Sequence, residues 1–346
     1  MTKPVRLGIA GLGRAGLGMH VPELSYKTEM FKITAVCDVI EERRHDTANK
    51  LNCKSYEKIE DLIHDDEVDI VDIATRSCDH FKHTKMALLA GKSVFLEKPM
   101  CETYEEADEL VKLTKTAGSP KLYIRHNRRF EANFMFIKEI IKNKKIGDVY
   151  EININRAGYQ RRIDWQTLNE FGGGQLLNWG PHIIDQSLGF IDYNYTDMFS
   201  DLKHIVAAGD CEDHVNISFK GENGILVNMK ISGGIALGLP EYLVYGSKGA
   251  LEIGQGKIKI KYIDPACNLP PPVANPETPY PSFGSTGTFS QKEVIQWVEE
   301  TIDSPQDNLT VIWDYLYDSY LHGKVFPITL EESAMVMKVI SDAKSK

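Results

Sequence analysis

Three stretches of this 346-residue chain have the residue types and spacing for chemistry. The first is Gly11-Leu12-Gly13-Arg14-Ala15-Gly16, a G-x-G-x-x-G run that follows the apolar stretch Val5 to Ala10 and precedes a helical pattern. In that setting the first glycine allows a tight turn, the second lets backbone approach a pyrophosphate, and the third lets helix and strand pack closely. The amides at the helix start then face the phosphates. Asp38 closes the next apolar stretch, Lys32 to Cys37, at the place of an acid that hydrogen-bonds an adenine-ribose 2′-hydroxyl. Together these features predict dinucleotide binding, against an ordinary α/β turn in which Asp38 only caps a helix. A carboxylate repels a 2′-phosphate, so NAD is expected. Arg43 and Arg44 close by leave NADP as the alternative.

The second stretch is Ser93-Val94-Phe95-Leu96-Glu97-Lys98-Pro99, a buried-strand pattern ending on a charged pair and a proline. In an open α/β sheet, ligands bind outside the carboxyl ends of strands, so a lysine there points at whatever is bound. Read alone, Glu97 and Lys98 are a surface pair. The third stretch runs from Gly172 to Asp185 and contains His182, which by itself reads as a loop histidine opening a helix after Gly180-Pro181.

The elements that must position these residues follow from patterning. Up to Ile124, apolar strands alternate with helical stretches: Glu41 to Lys50, Tyr56 to His64, His80 to Ala90, and a helix opened by the capping box Thr103-Tyr104-Glu105-Glu106. Val68 to Ala74 is a strand with Thr75 at its carboxyl end. This rhythm predicts a doubly wound parallel sheet. After a helix from Glu131 to Asn143, strands dominate: Val149 to Arg156, His204 to Ala208, His214 to Phe219, Ile225 to Ile231, Tyr242 to Tyr245 and Ile258 to Tyr262. Short turns such as Gly221-Glu222-Asn223-Gly224 predict an open, mostly antiparallel sheet. The expected class is thus α/β, with a dinucleotide-binding Rossmann domain over 1–125 and an α+β domain over 126–346. Asp264 to Phe283 holds seven of the 15 prolines and reads as an extended arm. Ser290-Gln291-Lys292-Glu293 and Thr329-Leu330-Glu331-Glu332 read as two further capping boxes.

Composition bounds the partners. With 40 basic against 49 acidic residues and a net charge of −9, no nucleic-acid footprint is expected. No run approaches the ~18 apolar residues of a membrane span, so no membrane partner is expected. Met1-Thr2-Lys3-Pro4 leads into a strand without an apolar signal segment, and the six cysteines form no C-x-x-C pair. A cytoplasmic protein with reduced thiols and no metal site is the expectation.

The glycine run, Glu97-Lys98-Pro99, Asn127-Arg128-Arg129-Phe130, Asp164-Trp165, the segment Gly172 to Asp185 and Tyr245-Gly246-Ser247-Lys248-Gly249 together resemble the Gfo/Idh/MocA family of oxidoreductases nearly end to end. Thr75 followed by His80 and Gly91 also matches the family's spacing, although Arg76-Ser77 stands where Pro-Asn is more usual. The resemblance implies a cis Lys98-Pro99 bond and subunit contacts, in a homodimer or homotetramer, through the outer face of the second sheet. It places Gly11, Leu12, Gly13, Arg14, Ala15, Gly16, Asp38, Thr75, His80, Glu97 and Lys98 at the cofactor. It also implies hydride transfer between the nicotinamide and a secondary hydroxyl of a sugar or polyol. His182 would be the base, since histidine titrates near working pH. Lys98 would stabilise alkoxide charge and share in the proton relay. Asn178 stands where the family often has Asp and could position a substrate hydroxyl or Lys98, while Asp185, three residues after His182 and on the same helical face, either supplies the carboxylate for the base or forms a structural salt bridge. Arg128, Tyr159, Trp165 and Trp179 are the expected substrate contacts. Two other readings stay open: a glycosidase that reduces and reoxidises held NAD in each cycle, and a cofactor-binding regulator without catalysis.

Overall fold

Short, almost uninterrupted apolar runs build the first part of the molecule. The structure, a computed structural model, describes residues 3–116, 118–274, 276 and 294–345. Strands β1 (Val5–Ala10), β2 (Phe31–Cys37), β3 (Lys54–Tyr56), β4 (Ile70–Ile73), β5 (Ser93–Leu96) and β6 (Leu122–Ile124) pair in parallel in the order β3-β2-β1-β4-β5-β6. Helices cover both faces of such a sheet, which is why these strands show no polar alternation. The covering helices are α1 (Val21–Ser25), α2 (Glu41–Leu51), α3 (Ile59–Ile63), α4 (His80–Leu89) and α5 (Tyr104–Thr114). The expected box opens α5: the Thr103 hydroxyl accepts from the Glu106 amide and the Glu106 carboxylate from the Thr103 amide. Strand order reverses between β1 and β4, and a cleft opens at their carboxyl ends, as this topology dictates.

After α6 (Ala132–Asn143), eight strands form the second sheet: β7 (Val149–Ala157), β8 (Tyr195–Lys203), β9 (His214–Gly221), β10 (Leu226–Ser232), β11 (Tyr242–Gly246), β12 (Gly249–Gly254), β13 (Lys257–Ile263) and β14 (Trp297–Asp303). Their order is β14-β13-β12-β11-β7-β10-β9-β8, antiparallel except where β7 meets β10. One face is apolar, with Ile152, Ile154, Val215, Ile217, Val227 and Met229 fully buried. The alternate positions, such as Asn153, Asn216 and Asn228, point the other way. Helices α7 (Gln175–Asn178) and α8 (Gly180–Phe190) carry the glycine-rich segment onto the apolar face, and α10 (Leu330–Lys344) packs between α8 and α5. The box at Thr329 to Glu332 opens α10. Before it, α9 (Val311–His322) buries Ile312, Trp313 and Leu316 with Val5, Leu7, Phe31 and Phe95. The end of the chain therefore seals the first sheet, although sequence order puts it with the second.

Some local expectations give way to tertiary partners. His204 to Ala208 is not a strand, because the Asp213 carboxylate accepts from the amides of Ile205, Val206 and Ala207 at 2.6–2.8 Å and takes the donors a ladder would use. The box at Ser290 to Glu293 lies outside the described residues, and the next described element is β14 rather than a helix. Register sets Glu299 against Lys261 and Asp303 against Lys257, and these cross-strand ion pairs favour a strand there. The described part of the Asp264 to Phe283 stretch has no regular secondary structure. Strands β3, β8 and β12 carry too little apolar alternation to be read from sequence. Among the described residues no helix is long and apolar enough to cross a membrane, and no cluster of three His, Cys, Asp or Glu is arranged to hold a metal ion.

Candidate active site

The glycine loop leaves β1 at the strand-order switch. Gly11 has φ +95°, and a Cβ there would lie 2.4 Å from the Ala74 carbonyl oxygen. A Cβ on Gly16 would lie 2.0 Å from the Gly11 oxygen, so helix and strand touch through glycine. At Gly13 a Cβ would meet nothing within 4 Å. The amides of Gly13, Arg14 and Ala15 donate to no protein group among the described residues. Open backbone donors on a loop packed from behind fit the pyrophosphate of a dinucleotide. Leu12 is buried, and its amide donates to Asp38 Oδ2 at 2.7 Å while Ile40 N donates to Oδ1 at 2.8 Å. Asp38 thus fixes the loop and the start of α2, and it lines the cleft. Arg44 is occupied by the carbonyls of Asp38 and Val39 and by Glu57, whereas Arg43, also lining the cleft, has no such partner among the described residues.

The cleft measures about 1010 Å³ and is lined by Gly11, Gly13, Asp38, Thr75, Lys98 and Trp165 among others. Lys98 stands just past β5, and its bond to Pro99 is cis, as the resemblance implies. Its Nζ crosses to donate to the Asn178 carbonyl oxygen at 3.0 Å. Burial lowers its pKa to about 8, with Glu97 opposing and Arg14, Arg125 and Arg128 adding to the fall. Glu97 is not a surface residue. Its carboxylate is buried and takes the side chains of His20 and Arg125 and the amide of Lys98. It supports the loop and also lines the cleft, as does His80. His80 is likewise turned inward, its ring nitrogens against the carbonyl oxygens of Pro99 (2.6 Å) and Thr75 (3.2 Å). Thr75 itself reaches His83 with its hydroxyl.

His182 lies in the first turn of α8, buried, with its ring edge toward Trp179. Its pKa is held well below the ordinary histidine range by burial, reinforced by the charges of Lys98 and Arg128. The ring is therefore neutral at neutral pH, with a lower proton affinity than an ordinary histidine. Its Nδ1 has no partner among the described residues, and Asp185 does not serve it. That carboxylate is taken by Arg129 and Tyr193, because α8 turns Asp185 toward Arg129 rather than back toward the ring. Sequence spacing put the two residues on one helical face, but the stronger cation captured the acid. Asn178 contributes its carbonyl to Lys98, while its side-chain oxygen accepts from Gln166 Nε2 at 3.1 Å.

Arg128 stacks over the Trp179 ring at 4.5 Å and pairs with Glu131. Trp165 lines the cleft beside Arg76. Tyr159 is 61% exposed, bridged to Gly234, and does not line the cleft, since the chain leaving β7 carries it outward. Residues that the sequence did not single out complete the site. Gln166 joins Arg14 of the glycine loop to Asn178, tying the two halves together. His126 sits one residue past the Arg125 amide that bonds Leu96, beside the exit of β5, buried with neither ring nitrogen bonded among the described residues. His20 and Asp72 lie beneath Glu97. The only local signal for them was a polar residue within an apolar stretch.

Comparison with known proteins agrees with this geometry. Residues 5–125 match the oxidoreductase family with an NAD-binding Rossmann fold (GFO_IDH_MocA), and residues 134–252 match the GFO/IDH/MocA C-terminal domain. An uncharacterized oxidoreductase of Schizosaccharomyces pombe is 32% identical over 192 residues, 54% of this chain and 51% of that protein. The scyllo-inositol 2-dehydrogenase (NADP(+)) of Bacillus subtilis is 30% identical over 186 residues, 53% of this chain and 51% of that enzyme. The chain thus spans about half the length of these two relatives. An NAD-binding protein from Listeria innocua superposes with a TM-score of 0.83 at 25% identity, covering 99% of this chain and 97% of that one.

Proposed function

The chain belongs to the Gfo/Idh/MocA family of NAD(P)-dependent oxidoreductases, and from that premise we propose that it transfers hydride between the nicotinamide and a secondary hydroxyl of a sugar or polyol. A bound nicotinamide supplies the hydride acceptor. The chain's own residues supply the rest. His182, neutral because it is buried beside cations, takes the hydroxyl proton. Lys98 donates a hydrogen bond to the oxygen as negative charge develops on it. Trp165, which lines the cleft, offers a flat apolar face for a ring substrate, and Arg128, stacked on Trp179 outside the cleft lining, would meet its hydroxyls only by leaving that ring. The observation that carries this reading is Lys98, an ammonium of lowered proton affinity at the sheet's carboxyl edge, reaching across the cleft to the residue that precedes the His182 helix by two positions. The name of the Bacillus subtilis relative favours a cyclitol within this class.

The test is a screen of sugars, inositols and sugar acids with the purified protein and either NAD or NADP, followed by reduced-nicotinamide absorbance. Reduction by at least one cyclic polyol is expected. Tight binding of both cofactors with no reduction by any compound would favour the regulator instead. Asp38→Ala should weaken NAD about tenfold, the loss of one hydrogen bond to a charged acceptor, and NADP less. Isothermal titration with both cofactors checks this, and equal losses would mean that Asp38 only braces the loop through Leu12 and Ile40. The open face of the second sheet, where Phe199 (60%) and Trp297 (46%) are exposed, is the proposed contact between subunits. Sedimentation as a monomer at micromolar concentration would exclude that contact.

A further inference from the structure

Beneath Lys98 lies a set of buried charges that proton and hydride transfer do not themselves require. His20, on the helical turn that begins at Gly16, has no exposed surface. Its Nδ1 is 2.8 Å from Asp72 Oδ2 and its Nε2 is 3.0 Å from Glu97 Oε1. Ionised carboxylate oxygens only accept, so both ring nitrogens donate and the ring is an imidazolium. Phe95 and Trp313 wall the ring at 6.4 and 5.5 Å between centroids. Burial opposes the charge and Arg125 repels it, yet Asp72 and Glu97 raise the His20 pKa to about 9.

What this cation holds is the residue next to Lys98. Glu97 Oε1 accepts from His20 and from Arg125 Nη1 at 2.8 Å, and Oε2 accepts from the Lys98 amide at 3.1 Å. The nearest carboxylate to the lysine is therefore directed at two other cations and at backbone. The ammonium goes to the Asn178 carbonyl instead. The other charges acting on Lys98 are cations: Arg14 from the glycine loop, and Arg125 and Arg128 from the chain after β6. His182 from α8 adds none while it is neutral. Glu97 is thus the group whose orientation sets how tightly Lys98 holds its proton.

We propose that His20 is a positioning residue for Lys98: as an imidazolium it keeps the Glu97 carboxylate on the lysine's backbone amide and off its ammonium, leaving that ammonium free to meet the reacting hydroxyl. This rests on the role given to Lys98 above. Without the imidazolium, Glu97 has one cation fewer to hold it and turns to the ammonium, which then binds its proton more tightly. In His20→Gln the Lys98 titration midpoint should rise by roughly one unit, the effect of a newly close opposite charge.

The experiment needs no substrate. The full-length protein without cofactor is labelled with trace acetic anhydride across a range of pH, and acetylation of Lys98 is read from its peptide by mass spectrometry. The wild-type midpoint is expected near 8. His20→Gln should raise it, while Phe95→Leu, which loosens the same apolar wall without removing any hydrogen bond around Glu97, should leave it in place. A folded His20→Gln protein with an unmoved midpoint, or an equal shift in Phe95→Leu, would overturn the proposal and leave the role of Lys98 standing. An ordinary wild-type midpoint, roughly 10.4, would instead refute the reading of Lys98 itself. If His20→Gln does not fold, ¹⁵N-histidine spectra of the wild type decide: one of the ten histidines should remain doubly protonated at pH 8. A set of wholly neutral rings at that pH would overturn the proposal.

Discussion

Lys98→Ala is expected to lower the rate of hydride transfer by a factor of about 10³, while NAD still binds. The magnitude is that of removing one donor aimed at a developing oxyanion in a site shielded from water. Cofactor affinity should survive because the proposed pyrophosphate cradle, the open amides of Gly13, Arg14 and Ala15, belongs to a loop braced by Asp38 and not by Lys98. Single-turnover reduction of NAD with a substrate from the screen, paired with calorimetry of NAD alone, separates the two quantities. Turnover within tenfold of wild type would remove Lys98 from the reaction. The pH dependence carries a sign as well. A donating ammonium must be protonated, so oxidation should fall as pH rises through about 8. This limb should be absent from the residual activity of Lys98→Ala.

His182→Asn should cost about 10² to 10⁴ in kcat, the range for losing a general base. The substituted amide can hold a hydroxyl but cannot take its proton. The acid side of the wild-type profile provides a second check. Because burial and neighbouring cations depress the His182 pKa, its base form persists below the ordinary histidine range. Oxidation should therefore stay level as pH falls through ~6.5 and decline only in more acidic solution. A limb at the ordinary histidine value would mean that the ring is solvated and distant from Lys98. An unchanged kcat in His182→Asn would assign the proton to another group, and His126, buried beside the end of β5 with neither ring nitrogen bonded among the described residues, would then be the first to test.

Local chemistry explains what could be read from the chain before its fold was known. The glycine loop, the boxes at Thr103 and Thr329, and the strand that delivers Lys98 each depend on residues only a few positions apart. Steric and hydrogen-bonding needs act over that distance whatever surrounds them. The parallel sheet was legible for a related reason, since strands buried on both faces must be apolar throughout. Edge strands were not. β8 and β14 are mixed in composition because one side meets solvent, and cross-strand partners settle their conformation.

Partner choice among charges was beyond the sequence. With 49 acidic and 40 basic residues, spacing along the chain permits many pairings, and only packing selects one. Helical periodicity set Asp185 near His182, but Arg129, 56 positions away in sequence, took it. Glu97 looked like half of a surface pair and became the buried centre of a network reaching from His20 to Arg125. A buried charge is costly unless it is paired, so the fold gathers whichever opposite charges its layers bring within reach. The glycine loop, Lys98 and His182 were thus legible in the sequence, whereas the partners that set their charge states were decided by the tertiary structure.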